Sequence, residues 1–258
     1  MSRLLVLPLR PLRAALLATL AALTLSACAT NRASVPSPDF SGMSQADAQK
    51  TLAELGARYK ANPRDKVTII YYAAALRGAG QNDQSAAVLE AGMSTYRNDA
   101  DIAVAYAKAL TAQGRFDQAL NVIDAAIVPQ QPDWNALSVK GAILDQTGRN
   151  AEARLLYNQA LLIAPGEASL EANLGLSYAM TNELDAAEAH LRRAVAMPGA
   201  NTRIRQNLAL VIGLQGRFDE ARAIYAKELA PDQVEANMAY IRALLTQQNR
   251  WNVIQESR

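Results

Sequence analysis

A spacing of 34 residues governs this chain from Gly114 to Pro231. Gly114, Gly148, Asn182 and Gly216 mark a turn in each copy, and Ala119, Ala153, Ala187 and Ala221 follow it at the same step. Ile123, Tyr157, Leu191 and Tyr225 come next, then Ala126, Ala160, Ala194 and, out of pattern, Glu228. A period of this length belongs to arrays of stacked helix-turn-helix units, each too small to bury its apolar face alone.

The residue types agree with that geometry. Where two antiparallel helices cross closely only a small side chain fits, so the alanines sit at the crossing and the larger apolar residue packs beside them. Glycine tolerates the left-handed conformation that ends a first helix. Asp117, Asp185 and Asp219 fall in the first turn of a second helix, where a carboxylate interacts favourably with exposed amides. Pro165, Pro198 and Pro231 are expected to stop that helix.

Leu174-Gly175 followed by Tyr178, together with the small, large, small series above, resembles the tetratricopeptide repeat. A weaker copy one period earlier carries Tyr72, Ala73, Leu76, Gly80, Ser85 and Leu89. Five copies are predicted, at 66–99, 100–133, 134–167, 168–201 and 202–234. The resemblance implies an all-α fold, a right-handed superhelical solenoid of about five repeats with capping helices.

Composition agrees: 5% of the 258 residues are aromatic, and abundant Ala, Leu and Ile suit close-packed helices rather than a β-sandwich. The formal charge is +2, but Arg3, Arg10 and Arg13 lie in a segment expected to be removed. Without them 23 basic residues face 24 acidic ones, a net of −1, which argues against nucleic-acid binding.

Residues 1–27 have the plan of a signal peptide: arginines, an apolar run from Ala14 to Leu25, then small residues. The run is short for a permanent membrane span. Leu25-Ser26-Ala27-Cys28 resembles the lipobox of bacterial lipoproteins, in which the peptidase recognises Leu25, Ser26 and Ala27 and Cys28 carries the lipid. Cys28 is the single cysteine, and an unpaired thiol has no disulfide partner in an oxidising compartment, whereas lipidation consumes it. Several acyl chains anchor stably where one does not. Ala29 in place of Asp after the cysteine favours the outer membrane over the inner, with the protein facing the periplasm.

Residues 28–43 are Ser-, Pro- and Asn-rich and read as a lipidated flexible tether, with a typical end-to-end distance of about 20 Å. Ser44 with Asp47 forms a capping-box-like start, and Leu52, Leu55 and Tyr59 share one face, so 44–62 is predicted as an N-terminal capping helix. Met238, Ile241, Leu245 and Trp251 repeat the register at 235–251 as a C-terminal cap, leaving 252–258 as a tail. The repeat domain thus spans 44–251.

No catalytic constellation is legible, and no enzyme, cofactor, metal or small-molecule substrate is expected. His190 is the sole histidine and has no cysteine with which to share a metal, so it reads as a residue between helices. No serine sits in G-x-S-x-G and no nucleotide-binding loop is present. Paired acids such as Asp99 and Asp101, or Glu183 and Asp185, stand at helix starts, where capping explains them.

Function is therefore expected on a surface. First helices of such arrays line the concave side, so positions 2, 5, 6, 9, 12 and 13 of each copy point to a partner groove. These include Val104, Lys108, Asn135, Asp145, Asn173, Leu176, Met180, Arg203, Asn207 and Leu210, with Asp101, Ser138 and Gln206 beside them. Leu176 and Leu210 have an alternative reading as core between repeats.

The run Arg205-Gln206-Asn207-Leu208-Ala209-Leu210 through Gln215-Gly216-Arg217-Phe218, and Glu235-Ala236-Asn237-Met238-Ala239-Tyr240-Ile241-Arg242 to Trp251, resembles the tail of TadD-type lipoproteins of the tight-adherence (Flp) pilus machinery. That resemblance implies a non-enzymatic, pilotin-like assembly factor at the outer membrane. Its partner would be a protein, a secretin or another pilus-assembly component, reached through the lipid anchor. The rival expectations are a general envelope scaffold that recruits peptidoglycan enzymes or proteases, and an enzyme whose site is not legible. Nothing in the sequence explains Glu228.

Overall fold

The computed structural model describes Val35, Pro38, Phe40 and residues 43–256, with side chains as far as residue 247. The predicted signal peptide with Leu25, Ser26 and Ala27, the lipid-accepting Cys28, most of the tether and the Trp251 side chain lie outside the described residues.

Local signals set the helix limits. Helix α1 (Gln45–Ala61) starts at Ser44, whose Oγ accepts from the Asp47 amide at 3.2 Å and donates to Asp47 Oδ2 at 2.6 Å. Five helix pairs follow: α2 (Lys66–Gly78) with α3 (Asn82–Thr95), α4 (Ala100–Ala112) with α5 (Phe116–Ala126), α6 (Trp134–Gln146) with α7 (Asn150–Ile163), α8 (Ala168–Met180) with α9 (Leu184–Ala196), and α10 (Thr202–Leu214) with α11 (Phe218–Tyr225). Successive first helices start 34 residues apart, as do successive second helices.

An N-cap column recurs at the same step. The side chains of Asp65, Asp99, Asp133 and Asn201 accept from amides of the first turn, supplying acceptors that helix geometry leaves missing. At the other end, Gly80, Gly114, Gly148, Asn182 and Gly216 have φ of 74°, 73°, 78°, 62° and 84°. The residue after each donates to a carbonyl five positions back, as Arg115 does to Leu110 at 2.9 Å and Glu183 to Tyr178 at 2.9 Å. That closure satisfies the last carbonyls of the first helix and reverses the chain.

Packing bears out the crossing positions. Ser85, Ala119, Ala153, Ala187 and Ala221 are fully buried, and Leu89, Ile123, Tyr157, Leu191 and Tyr225 pack beside them. The core runs along the array as successive clusters, from α2–α4 through α4–α6 to α8–α12, so each repeat depends on its neighbours. Each first helix touches the next first helix, α2 to α4, α4 to α6 and onward, whereas second helices approach only their chain neighbours at backbone distance. The crowded side is the inner one, so first helices line the concave face.

The last repeat departs from expectation. Helix α11 ends at Tyr225, where the amides of Glu228 and Leu229 both donate to the Tyr225 carbonyl at 2.9 Å. Pro231, expected as a stop, is instead the first residue of α12 (Pro231–Glu256), a position where its missing amide hydrogen costs nothing. Val234, Met238 and Ile241 of α12 are buried against α10 and α11, so the helix begins four residues before the predicted cap and continues past residue 251. The early end of α11 also accounts for Glu228. Its carboxylate turns to α10, accepting from Thr202 Oγ1 at 2.8 Å and Arg205 Nη2 at 3.1 Å, instead of entering the crossing where other copies hold alanine. Among the described residues no helix is long and apolar enough to cross a membrane.

Candidate functional site

The concave face is assembled from one stripe of each first helix, and its exposure changes along the array. In the first copy Ile70 is fully buried and Ala74 is 3% exposed. Val104 of the second copy, a predicted groove residue, is also buried: it packs with Ala107, Ile123, Ala136 and Val139 between α4, α5 and α6. It belongs to the core and is withdrawn from the groove. Lys108, beside it on the same helix, is half-buried and has its own interactions.

At the first junction Lys66 Nζ lies 3.0 Å from Asp99 Oδ2 and 2.8 Å from Asp101 Oδ2. Burial works against the lysine charge, but hydrogen bonds to Asp101 and Asp99 outweigh it and raise the pKa above its ordinary 10.5. Asp99 therefore caps α4 and ties α2 to it.

Asp145, a predicted groove residue, also lies in the interior. It is 5% exposed and accepts from three side chains: Tyr157 Oη at 2.9 Å, Ser177 Oγ at 2.7 Å and Asn150 Nδ2 at 2.8 Å. Burial, then the neighbouring Asp145 charge and its hydrogen bond, push the Tyr157 pKa far up, so the phenol stays a donor. Ser177 in turn accepts from Arg154 Nε at 3.3 Å. This network joins the third repeat to the fourth through the interior and presents nothing to a ligand.

Beyond it the groove opens. Asn135 is half-buried, Ala142 and Gln146 are exposed, and Asn173 donates to Ser138 Oγ at 3.0 Å across neighbouring first helices. Leu176 and Asn173 are half-buried, while Met180 is 53% exposed at the end of α8. In the fifth copy Arg203 is exposed, and Gln206, Asn207 and Leu210 are half-buried; Leu210 also packs against the C-terminal core. The third to fifth copies thus offer a surface of alternating apolar and amide character.

His190 does not enter this face. Its Nδ1 lies 2.7 Å from Glu171 Oε2, and its ring stacks on Tyr178 at 5.2 Å between centroids. Arg154 Cζ sits 4.0 Å from the Tyr178 ring centroid and its guanidinium reaches Glu183 at 2.8 Å. This cluster was not legible in the sequence, because its members come from three helices. On the second helices Arg192 pairs with Glu188 at 2.6 Å and Glu220 at 2.8 Å, and Arg217 with Glu188 at 2.7 Å, bridging α9 to α11. Among the described residues no group of His, Cys, Asp and Glu is arranged to hold a metal ion.

Comparison with known proteins places the array in context. Family models described as tetratricopeptide repeat match residues 76–143, 143–202 and 172–236, more than half of the 258-residue chain. No curated protein sequence matches. Among solved structures the chain is similar to a thermophilic tetratricopeptide protein of Thermus thermophilus, at 22% identity and TM-score 0.57, covering 76% of this chain and 99% of that one. It is similar to PilW, a widely conserved type IV pilus biogenesis factor, at 15% identity and TM-score 0.57, covering 76% and 91%. The Cut9–Hcn1 hetero-tetramer of APC/C aligns at 16% identity and TM-score 0.59 over 76% of this chain, which spans 40% of that chain's length. At these identities the likenesses carry the fold alone.

Proposed function

The chain belongs to the tetratricopeptide repeat family, and from that membership we propose that it is a protein-binding scaffold whose open groove, in the third to fifth repeats, holds a segment of an envelope partner. The observation that carries this reading is the change in exposure along the concave face: the first two copies are buried at their middle positions, Ile70, Ala74, Val104 and Ala105, whereas Ala142, Leu176, Met180, Asn207 and Leu210 remain accessible. Apolar side chains flanked by Asn173 and Asn207 suit an amphipathic helix or an extended apolar segment. Each leucine the partner covers contributes up to roughly 1.5 to 3 kcal/mol before ordering costs.

In this reading Cys28 is lipidated, the protein sits on the outer membrane facing the periplasm, and the partner is a secretin subunit or another component of the tight-adherence pilus machinery. The role is that of a pilotin-like, non-enzymatic assembly factor. PilW is a pilus biogenesis factor, so the fold is one that a pilus system uses; its likeness to this chain extends no further than the fold. The anchor would contribute by concentrating the array at the membrane where the partner must arrive.

Photo-crosslinking in the native host tests the proposal, with probes at Leu176 and Leu210 and a control at Arg192, which lies in the ion-paired network of the outer helices. Capture of a secretin or pilus component from the groove probes alone is the expected result. Capture of peptidoglycan enzymes or proteases would move the function to a general envelope scaffold, and equal capture from every probe would withdraw the groove.

A further inference from the structure

Val35, Pro38 and Phe40 belong to the predicted tether, yet all three are half-buried. Val35 packs against the core cluster of α2, α3 and α4, which runs from Ile69 to Ala109. Two of its members, Ile70 and Ala105, stand at the fifth position of the first copy and the sixth of the second, on the concave stripe. Phe40 Cβ lies 3.5 Å from where a Cβ on Gly78 would stand. Gly78 is the thirteenth position of the first copy, again on the stripe.

The chain from Val35 to Phe40 can reach at most about 16 Å, more than the rise of about 12 Å along α2 from Ile70 to Gly78. Pro38 fixes its own φ near −65° and favours extended backbone, which lowers the entropy lost on docking. Exposure agrees: Ala74, ninth in the first copy, is 3% exposed, while Ala142, ninth in the third, is exposed.

We infer that the concave face of the first repeat is a docking site for an apolar segment, and that its occupant is this chain's own pre-helical segment, anchored by Val35 and Phe40. The middle of the first repeat's face, at Ile70 and Ala74, is thereby covered from within, and the partner's groove lies in the third to fifth repeats. This inference does not depend on the identity of the partner or on the pilus reading.

Disulfide trapping tests it in the full chain carrying Cys28→Ser, so that introduced thiols are the only ones present. The 3.5 Å separation at Gly78 lies within the range of about 3.5–4.5 Å between Cβ atoms that a disulfide accepts. Phe40→Cys with Gly78→Cys should close an intrachain bond on mild oxidation, and Phe40→Cys with Ala142→Cys should not. Disulfide-linked dimers in place of the intrachain bond would assign the site to a second copy. Equal closure in both pairs, or none, would overturn the docking.

A second measurement avoids reliance on the crosslink. Maleimide should label Ala74→Cys about tenfold more slowly than Ala142→Cys, and adding Val35→Asp with Phe40→Asp should bring the two rates together. If Ala74→Cys stayed protected in that variant, the helices themselves would be covering the face and the inference would fail.

Discussion

Tyr157 of α7 donates its hydroxyl hydrogen to Asp145 Oδ2 of α6 at 2.9 Å, and both side chains are buried. The pair lies where the third repeat meets the fourth, and Ser177 of α8 completes it at 2.7 Å. Tyr157→Phe removes one donor while Ser177 and Asn150 still satisfy the carboxyl, so a loss of about 1–2 kcal/mol is expected. Asp145→Ala strands the hydroxyls of Tyr157 and Ser177 and opens a void, so about 2–4 kcal/mol is expected. Denaturant titration of the two variants checks the order; equal losses would mean that Asp145 is held by solvent and not by this network.

Two glycines at close helix crossings separate rigid from yielding neighbours. A Cβ on Gly175 would stand 2.7 Å from Leu191 Cγ and 3.0 Å from the Ala187 carbonyl oxygen, and the latter is backbone of α9. On Gly213 the worst contact is Ile241 Cδ1 at 2.6 Å, the far end of a side chain. Alanine gains about 1 kcal/mol of helix propensity at either site, against overpacking of about 1–3 kcal/mol. Gly175→Ala should therefore lower the melting temperature clearly and Gly213→Ala much less. A reversal of that order would show that α12 is held more rigidly against α10 than α9 is against α8.

The helix pairs were legible because turn glycines, crossing alanines and caps are imposed locally and recur at one step. The same step carries Asp65, Asp133 and Asn201, although within that column the capping role was legible in the sequence only for Asp99, whereas Glu183, read as a cap, makes no side-chain cap bond and pairs with Arg154 instead. The groove was less legible. Helical position gives the direction of a side chain but not what lies over it, and Asp145 is buried by Tyr157 from its own repeat and Ser177 from the next. Val104 likewise meets α5 and α6. Pro231 was misread because a proline that ends one helix and a proline that begins another look the same in sequence. Val35 and Phe40 sit in a stretch whose composition signals a linker, and their docking depends on a face formed elsewhere in the chain.

The proposed lipidation makes its own prediction. If Cys28 carries the lipid, Cys28→Ser should take the protein out of the outer-membrane fraction, because Cys28 is the single cysteine of the sequence. Under the pilotin-like reading, secretin multimers and piliation should fall in parallel. Unchanged multimers and pili in the delocalised variant would sink the tethered-carrier mechanism while leaving groove binding to be judged by crosslinking.

Glu228 gives a prediction whose sign depends on its partners. Hydrogen bonds from Arg205 first and Thr202 second hold its carboxyl below the ordinary 4.5, with burial acting in the opposite direction. A carboxyl depressed in the folded state stabilises the fold fully above its unfolded value, and that contribution disappears as pH falls through the folded value. At about pH 7 Glu228→Gln should therefore be less stable than the parent, and the gap should narrow as pH falls below about 4.5. Glu183, Glu188 and Glu220 are also held low by their arginine and threonine partners, but they titrate in both proteins and cancel in the difference. Denaturation midpoints of parent and variant across that range give the answer. A gap that stays constant would mean that Glu228 closes the short α11 turn through shape and neutral hydrogen bonding, and that its charge contributes nothing.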